Sequence, residues 1–277
     1  MIPVEFDYKK AISVEEALEA LSSGDSKLLA GGYSLIPAMK LRLNQPSMLI
    51  DIGGIASLKG IEEEDGQIII KAGTTHNDIL NNDLIKTHLP FFHEAASMIG
   101  DVQVRNRGTI GGSLAHADPA ADWPALVLVA EATIDVVGTG GKRNIKAADF
   151  FTGLFTTALA ENEIITAIRI PIPANGSRMV YLKFENPASR FAVVGCAVLR
   201  SSDKKTTIAF TGVADYAFRD TAAEQVVSGK ILDTNTIADA MNAAVYGVNV
   251  LSDNFASEDY RRHLAKVYLK RALQAIA

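Results

Sequence analysis

A short apolar run, Leu28-Leu29-Ala30, empties into Gly31-Gly32-Tyr33-Ser34-Leu35. It reads as a buried strand that ends in glycines and then starts a helix, SLIPAMKLRL, whose Leu35, Met39 and Leu43 share one face. Pro37 suits the first turn of that helix. Glycines allow positive φ and let a ligand reach the backbone with no Cβ in the way. A row of N–H groups beside a helix start is an anion cradle, with the Ser34 hydroxyl as a further donor, so a phosphate is the natural guest. An ordinary tight turn is the competing reading. The segment matches neither G-x-G-x-x-G nor G-x-x-x-x-G-K-[ST], which weakens dinucleotide-fold and P-loop assignments.

A second segment runs Arg105-Asn106-Arg107-Gly108-Thr109-Ile110-Gly111-Gly112-Ser113-Leu114-Ala115-His116 and on through Ala121-Asp122-Trp123-Pro124. Residues 101–113 read as a glycine-containing loop. Its small residues let a long flat ligand lie close to the backbone. Asp122 is either the N-cap of the next helix or an acceptor for ribose or ribityl hydroxyls. Arg105 and Arg107 are either solvated charges or partners for a pyrophosphate or another subunit. His116 reads as a loop hydrogen-bonder rather than a catalytic base. Two glycine pairs, each after an apolar segment, suggest one extended ligand bridged at both, and a dinucleotide has that shape.

The rest of the chain narrows the class. At 277 residues it allows one large domain or two to three small ones, at about 100–200 residues each. A net charge of −5 argues against nucleic acid, because there is no basic surplus to neutralise phosphates. No apolar stretch reaches the ~20 residues of a spanning helix, and the N-terminus lacks a charged segment followed by an apolar one. A cytoplasmic location is expected. The single cysteine, Cys196, cannot hold an iron–sulfur cluster and sits in an apolar strand as a buried small hydrophobe.

Coarse elements follow from periodicity. Ser13 with Glu16 is a capping box before a short helix. MLIDI (48–52) is a second strand, and Asp65-Gly66 turns a hairpin. Residues 77–100 read as two helical pieces broken at Pro90. Residues 170–177, with two prolines, an asparagine and a glycine, interrupt the pattern. Beyond them come three strand-like runs and helices around 221–228, 235–250 and 257–275, an α+β arrangement.

Taken together, Ala30–Leu35 and Thr109–Ser113 resemble the A-G-G-x-S-L and T-I-G-G-[NS] motifs of the FAD-binding medium subunit of the molybdenum hydroxylases. That family includes carbon monoxide dehydrogenase, nicotine and quinoline hydroxylases and the flavin domain of xanthine dehydrogenase. FDY (6–8), LIPAMKLRL (35–43), LIDI (49–52), 103–126 and EIITAIRIPIP (163–173) are similar too, so the likeness spans essentially the whole chain. It implies an α+β fold: a two-subdomain, PCMH-like FAD portion over 1–54 and 55–173, then a C-terminal domain over 174–277 with a small antiparallel sheet and helices. It implies that Leu29, Ala30, Gly31, Gly32, Tyr33, Ser34 and Leu35, with Thr109, Ile110, Gly111, Gly112, Ser113 and His116, surround the FAD pyrophosphate and its neighbourhood. Asp122 aligns with a carboxylate that contacts FAD, Ile99 and Ile165 with adenine-side neighbours, and Lys183 with a lysine near the flavin. Tyr33 stands where relatives often carry His or Gln. Phe191 stands where carbon monoxide dehydrogenase relatives carry a ring-facing tyrosine; it can stack but cannot donate a hydrogen bond.

The resemblance also implies a division of labour. A large partner subunit carries the molybdenum cofactor and oxidises substrate, a small one carries two [2Fe–2S] clusters, and this chain passes electrons through FAD to an external acceptor. The assembly would be a dimer of heterotrimers. No catalytic acid or base and no metal site are assigned to this chain. A self-contained flavin reductase would need a substrate-protonating group that the sequence does not offer. A scaffold that has lost its cofactor would not need intact glycine pairs.

Overall fold

A computed structural model describes residues 2–22 and 24–277. Strands β1 (Asp7–Lys10), β2 (Ser26–Leu29) and β3 (Met48–Asp51) form a parallel sheet in the order β1-β3-β2. Parallel neighbours need crossovers, and helices α1 (Val14–Leu21) and α2 (Leu35–Lys40) stand between consecutive strands. The Ser13 hydroxyl accepts from Glu16 N, as the capping pattern predicts, but the Glu16 carboxylate accepts from Ile12 N at 2.9 Å. The cap therefore reaches one residue further back. Helix α2 is shorter than expected: Arg42 adopts φ 59°, so Met39 is buried and Leu43 points to solvent instead of sharing its face.

The second unit is a five-stranded antiparallel sheet ordered β4-β5-β10-β6-β7, from β4 (Ile61–Glu64), β5 (Gln67–Lys71), β6 (Thr133–Gly138), β7 (Gly141–Lys146) and β10 (Glu163–Pro171). Asp65 and Gly66 both take positive φ, the tight hairpin turn that the Asp-Gly pair predicts. A two-stranded ribbon, β8 (Phe151–Gly153) with β9 (Thr156–Thr157), projects before β10. Six helices lie between β5 and β6: α3 (His76–Asn81), α4 (Asp83–His88), α5 (Pro90–Met98), α6 (Val102–Arg107), α7 (Ile110–His116) and α8 (Trp123–Val129). The first three replace the two expected pieces. Asn82 is extended and its side chain accepts from Ile85 N, which starts a new helix before Pro90 starts another. Residues 101–113 are not a loop. Asp101 caps α6 and Thr109 caps α7, so the second glycine pair lies inside a helical turn.

The third unit is the expected antiparallel sheet: β11 (Arg178–Glu185), β12 (Ala192–Arg200), β13 (Thr206–Thr211) and β14 (Phe218–Arg219), in that order. Helices α9 (Thr221–Val227), α10 (Thr234–Ala243) and α11 (Glu258–Ala275) cover one face. Helix α10 stops seven residues short of the expected 250, because Val245 turns to φ 53° and gives its N–H to Asp220. Alternation along β12 and β13 shows why both read as continuous apolar runs. Cys196, Val198, Ile208 and Phe210 face these helices, while Ala197 and Ala209 face the core that contains α8. Cys196 is buried, as predicted. Among the described residues no helix is long and apolar enough to cross a membrane.

Candidate functional site

A cleft of about 1130 Å³ is bounded by the ends of β2 and β3, the start of α7, the ribbon and the turn between β11 and β12. Small-molecule sites run to about 300–1,000 Å³, so this one suits a long ligand. The two glycine motifs meet in it. A Cβ on Gly31 would lie 2.2 Å from Arg107 O and 2.8 Å from Gly108 Cα, so glycine is required for the two backbones to touch. Gly32 takes φ 78°, which turns the chain from β2 into α2.

The backbone N–H groups of Gly31, Gly32, Tyr33, Ser34 and Leu35 have no acceptor among the described residues, and all five residues line the cleft. The Ser34 side chain makes no cap bond either. Amides at a helix start have no acceptor within the helix, and none of these five residues is buried, so the row is open to an anionic ligand at this position. The second motif is different. Ile110 N donates to Thr74 O at 3.1 Å, Gly111 N to Ala72 O at 2.9 Å, Gly112 N to Thr109 Oγ1 at 3.1 Å and Ser113 N to Thr109 O at 3.0 Å. A Cβ on Gly111 would lie 2.6 Å from Ala72 Cβ. Here the glycines let the helix seat against the end of β5.

The remaining predicted residues divide. Ala30, Thr109, Gly111, Gly112, Ser113 and His116 line the cleft with the first motif. So do Ile99, Ile165, Asp122 and Phe191. Tyr33 and Phe191 are the two solvent-reachable aromatics among them, 43 % and 42 % exposed. Leu29, Ile110 and Lys183 lie behind the wall: Ile110 is fully buried in the core, and the Lys183 side chain has no exposure. The His116 ring lies 5.1 Å from that of Phe155 at the ribbon tip. Arg105 is not a solvated charge; its Nη1 donates to Ile99 O and Gly100 O.

Asp122 occupies the N-cap position of α8 without capping it. Its carboxylate accepts from Tyr181 Oη at 2.5 Å and pairs with Lys183 Nζ at 3.1 Å. Burial pushes the carboxyl upward from its usual range, and the Lys183 charge pulls against that shift. Lys183 Nζ also donates to Met98 O at 3.1 Å and Arg190 O at 2.8 Å. One ammonium thus ties β11 to the segments that carry Ile99 and Phe191. Tyr181 could have been found in the sequence, since it sits two residues before Lys183 and therefore on the same strand face.

His76 and Trp123 also escaped the sequence reading. Trp123 Nε1–H donates to His76 Nδ1 at 3.1 Å, and burial holds the imidazole down to about 4.

The family model of the FAD binding domain in molybdopterin dehydrogenase matches residues 4–173, and that of the CO dehydrogenase flavoprotein C-terminal domain matches 179–276. The chain belongs to the FAD-binding medium subunits of the molybdenum hydroxylases. It is 40 % identical to the carbon monoxide dehydrogenase medium chain of Hydrogenophaga pseudoflava, over 99 % of this chain and 98 % of that one. It is 38 % identical to the glyceraldehyde dehydrogenase medium chain of Sulfolobus acidocaldarius, over the full length of both. Among solved structures, carbon monoxide dehydrogenase of Hydrogenophaga pseudoflava superposes with a TM-score of 0.96 at 41 % identity, covering 100 % of this chain and 98 % of that one. Quinoline 2-oxidoreductase of Pseudomonas putida 86 gives 0.94 at 30 %, with the same coverages. FAD is accordingly the cofactor of this medium subunit, an oxidoreductase component of α+β fold. The row of free amides fits the phosphates of that group.

Proposed function

We propose that this medium subunit is an electron relay. It holds FAD across the cleft, takes electrons from the [2Fe–2S] clusters of a small partner subunit and passes them to an external acceptor. The observation that carries this reading is the row of five unpaired amides at Gly31–Leu35, in a chain whose family binds FAD. Bound FAD supplies the redox chemistry; the protein supplies binding, orientation and electrostatics. In the first glycine motif, Gly31 to Leu35 bind the pyrophosphate through their amides, with Ala30 beside them and Leu29 supporting the strand end from behind. Thr109 to Ser113 and His116 form the facing wall, with Ile99 and Ile165 as apolar neighbours of the adenine. Phe191 and Tyr33 flank the ring system and limit water, and Asp122 and Lys183 order the wall beside it.

Substrate oxidation falls to a large partner subunit with the molybdenum cofactor. Two facts support this division: the relatives are named as medium chains, and a lone buried cysteine cannot supply clusters. The assembly is a dimer of heterotrimers in the cytoplasm. The chain divides into 1–54 and 55–173, which share the FAD, and a C-terminal domain over 174–277.

The test is the purified complex. It should show visible flavin absorbance, release FAD rather than FMN on denaturation, and contain subunits with molybdenum and iron–sulfur clusters. Reduced clusters should be reoxidised by the acceptor only when this chain is loaded with FAD. A colourless chain that takes up no FAD would sink the proposal. A flavin-loaded chain that reduces a substrate unaided would replace it with a self-contained reductase.

A further inference from the structure

A buried polar side chain in the cleft wall is only half bonded within the protein. His76 is the first residue of α3, lines the cleft and is 5 % exposed. Its backbone N–H donates to Gly108 O at 3.0 Å, and Trp123 Nε1–H donates to its Nδ1 at 3.1 Å. An indole nitrogen only donates, so Nδ1 carries the lone pair and the ring proton sits on Nε2. Nε2 has no acceptor among the described residues. It is not sealed off, since the enclosed and unpartnered side-chain atoms among the described residues are Ser177 Oγ and Arg261 Nε; this N–H therefore opens on the cleft that His76 lines, where a ligand or water completes it. Its surroundings say which. A Cβ on Gly108 would lie 2.7 Å from His76 Nε2, and one on Gly31 would lie 2.8 Å from Gly108 Cα. Nε2 is therefore one backbone layer from the row of unpaired amides, at the meeting point of the two glycine motifs.

We propose that His76 is a further FAD-binding residue, whose Nε2–H, held in that tautomer by Trp123, donates to a pyrophosphate oxygen. The inference rests on the FAD reading of the cleft. Burial keeps the imidazole neutral down to about pH 4, so the same donor is present throughout the neutral range. Glutamine can donate there without help from Trp123; phenylalanine cannot.

The experiment uses the full-length chain with nitrogen-15-labelled histidine, stripped of flavin and titrated with FAD, ADP and riboflavin. The free chain should show His76 with a protonated Nε2 and a bare Nδ1. FAD and ADP, which share the diphosphate, should each shift the Nε2–H resonance; riboflavin, which has none, should not. His76→Phe should weaken FAD about ten- to a hundredfold, the worth of a hydrogen bond to a charged group, and His76→Gln should recover most of it. Three results would overturn the proposal: a resonance unmoved while FAD binds, an equal shift from riboflavin, or a folded His76→Phe with unchanged FAD affinity. Should His76→Phe fail to fold, the titration of the unaltered chain decides alone. A chain that shows no FAD uptake at all overturns the cofactor reading instead, so the two failures are distinct.

Discussion

Gly31-Gly32 and Gly111-Gly112 both mark helix starts, yet the first leaves five consecutive N–H groups unpaired while the amides from Ile110 to Ser113 all have acceptors. The residue types are nearly the same, so the difference lies in what each backbone meets. After β2 the chain turns through φ 78° at Gly32 and faces the open cleft. After α6 it meets the end of β5, where Thr74 O and Ala72 O take the amides. Glycine thus serves ligand approach in one motif and close packing in the other. The contrast makes the first motif the anion cradle and the second the wall that holds it.

Substitutions that add one Cβ strain the comparison hardest. Gly31→Ala sets a methyl 2.2 Å from Arg107 O, a backbone atom that no side-chain rotation can relieve. Roughly 2–3 kcal/mol of stability should go in urea titrations, the usual cost of overpacking. FAD affinity should fall about 100-fold as the cradle shifts off the wall, equivalent to 2–3 kcal/mol. Gly111→Ala meets Ala72 Cβ at 2.6 Å and should cost similar stability, about 2–3 kcal/mol. It leaves the free amides in place, so folded protein should lose clearly less FAD affinity. Equal losses of FAD in both variants would erase the distinction between the motifs.

Acid probes the junction between them. His76 has its folded pKa lowered to about 4 against 6.5 when exposed, by desolvation. The unfolded chain therefore binds the extra proton first as pH falls. The stability tied to neutral His76 is complete above about pH 6.5, declines from there to about pH 4 and is constant below. Its size is roughly 3 kcal/mol at the usual 1.36 kcal/mol per pH unit. Asp122, Asp118 and Glu94, raised by burial, shift the opposite way on acidification. The measurement is thus the difference between the parent chain and His76→Gln in unfolding free energy over that window. Parallel curves would show that His76 titrates normally.

Much of this arrangement was legible in the sequence where local rules act alone. The Asp65-Gly66 turn, the strand before Gly31 and the antiparallel runs after residue 177 follow from turn chemistry and alternation. Residues 101–113 misled because three glycines argue against helix; tertiary pairing of Ile110 and Gly111 with the 72–74 turn overrides that propensity. Asn82 is a weaker helix-start signal than Pro90, yet its side chain caps a helix of its own. Asp122 reads as a cap from its neighbours, but its partners Tyr181 and Lys183 stand 59 and 61 residues away. The His76–Trp123 bond spans 47 residues. No spacing rule reaches that far, so side chains paired across such long sequence separations become visible only in the folded chain.

The gentlest pair of variants separates cradle from wall with one hydroxyl each. Thr109 Oγ1 accepts from Gly112 N and is buried, so Thr109→Val keeps the shape and strips the cap from α7. Stability should fall by about 1 kcal/mol, with Thr109→Ser restoring it and FAD affinity changing less than about threefold. Ser34 is exposed and its side chain caps nothing, so Ser34→Ala should leave unfolding within about 0.5 kcal/mol. If that hydroxyl faces the pyrophosphate, FAD should weaken about three- to tenfold, the worth of one neutral hydrogen bond. The two readouts are crossed: each variant should move the quantity that the other leaves alone. Should Ser34→Ala destabilise the chain as Thr109→Val does and bind FAD normally, the unpaired amides beside it would belong to the fold and not to the ligand.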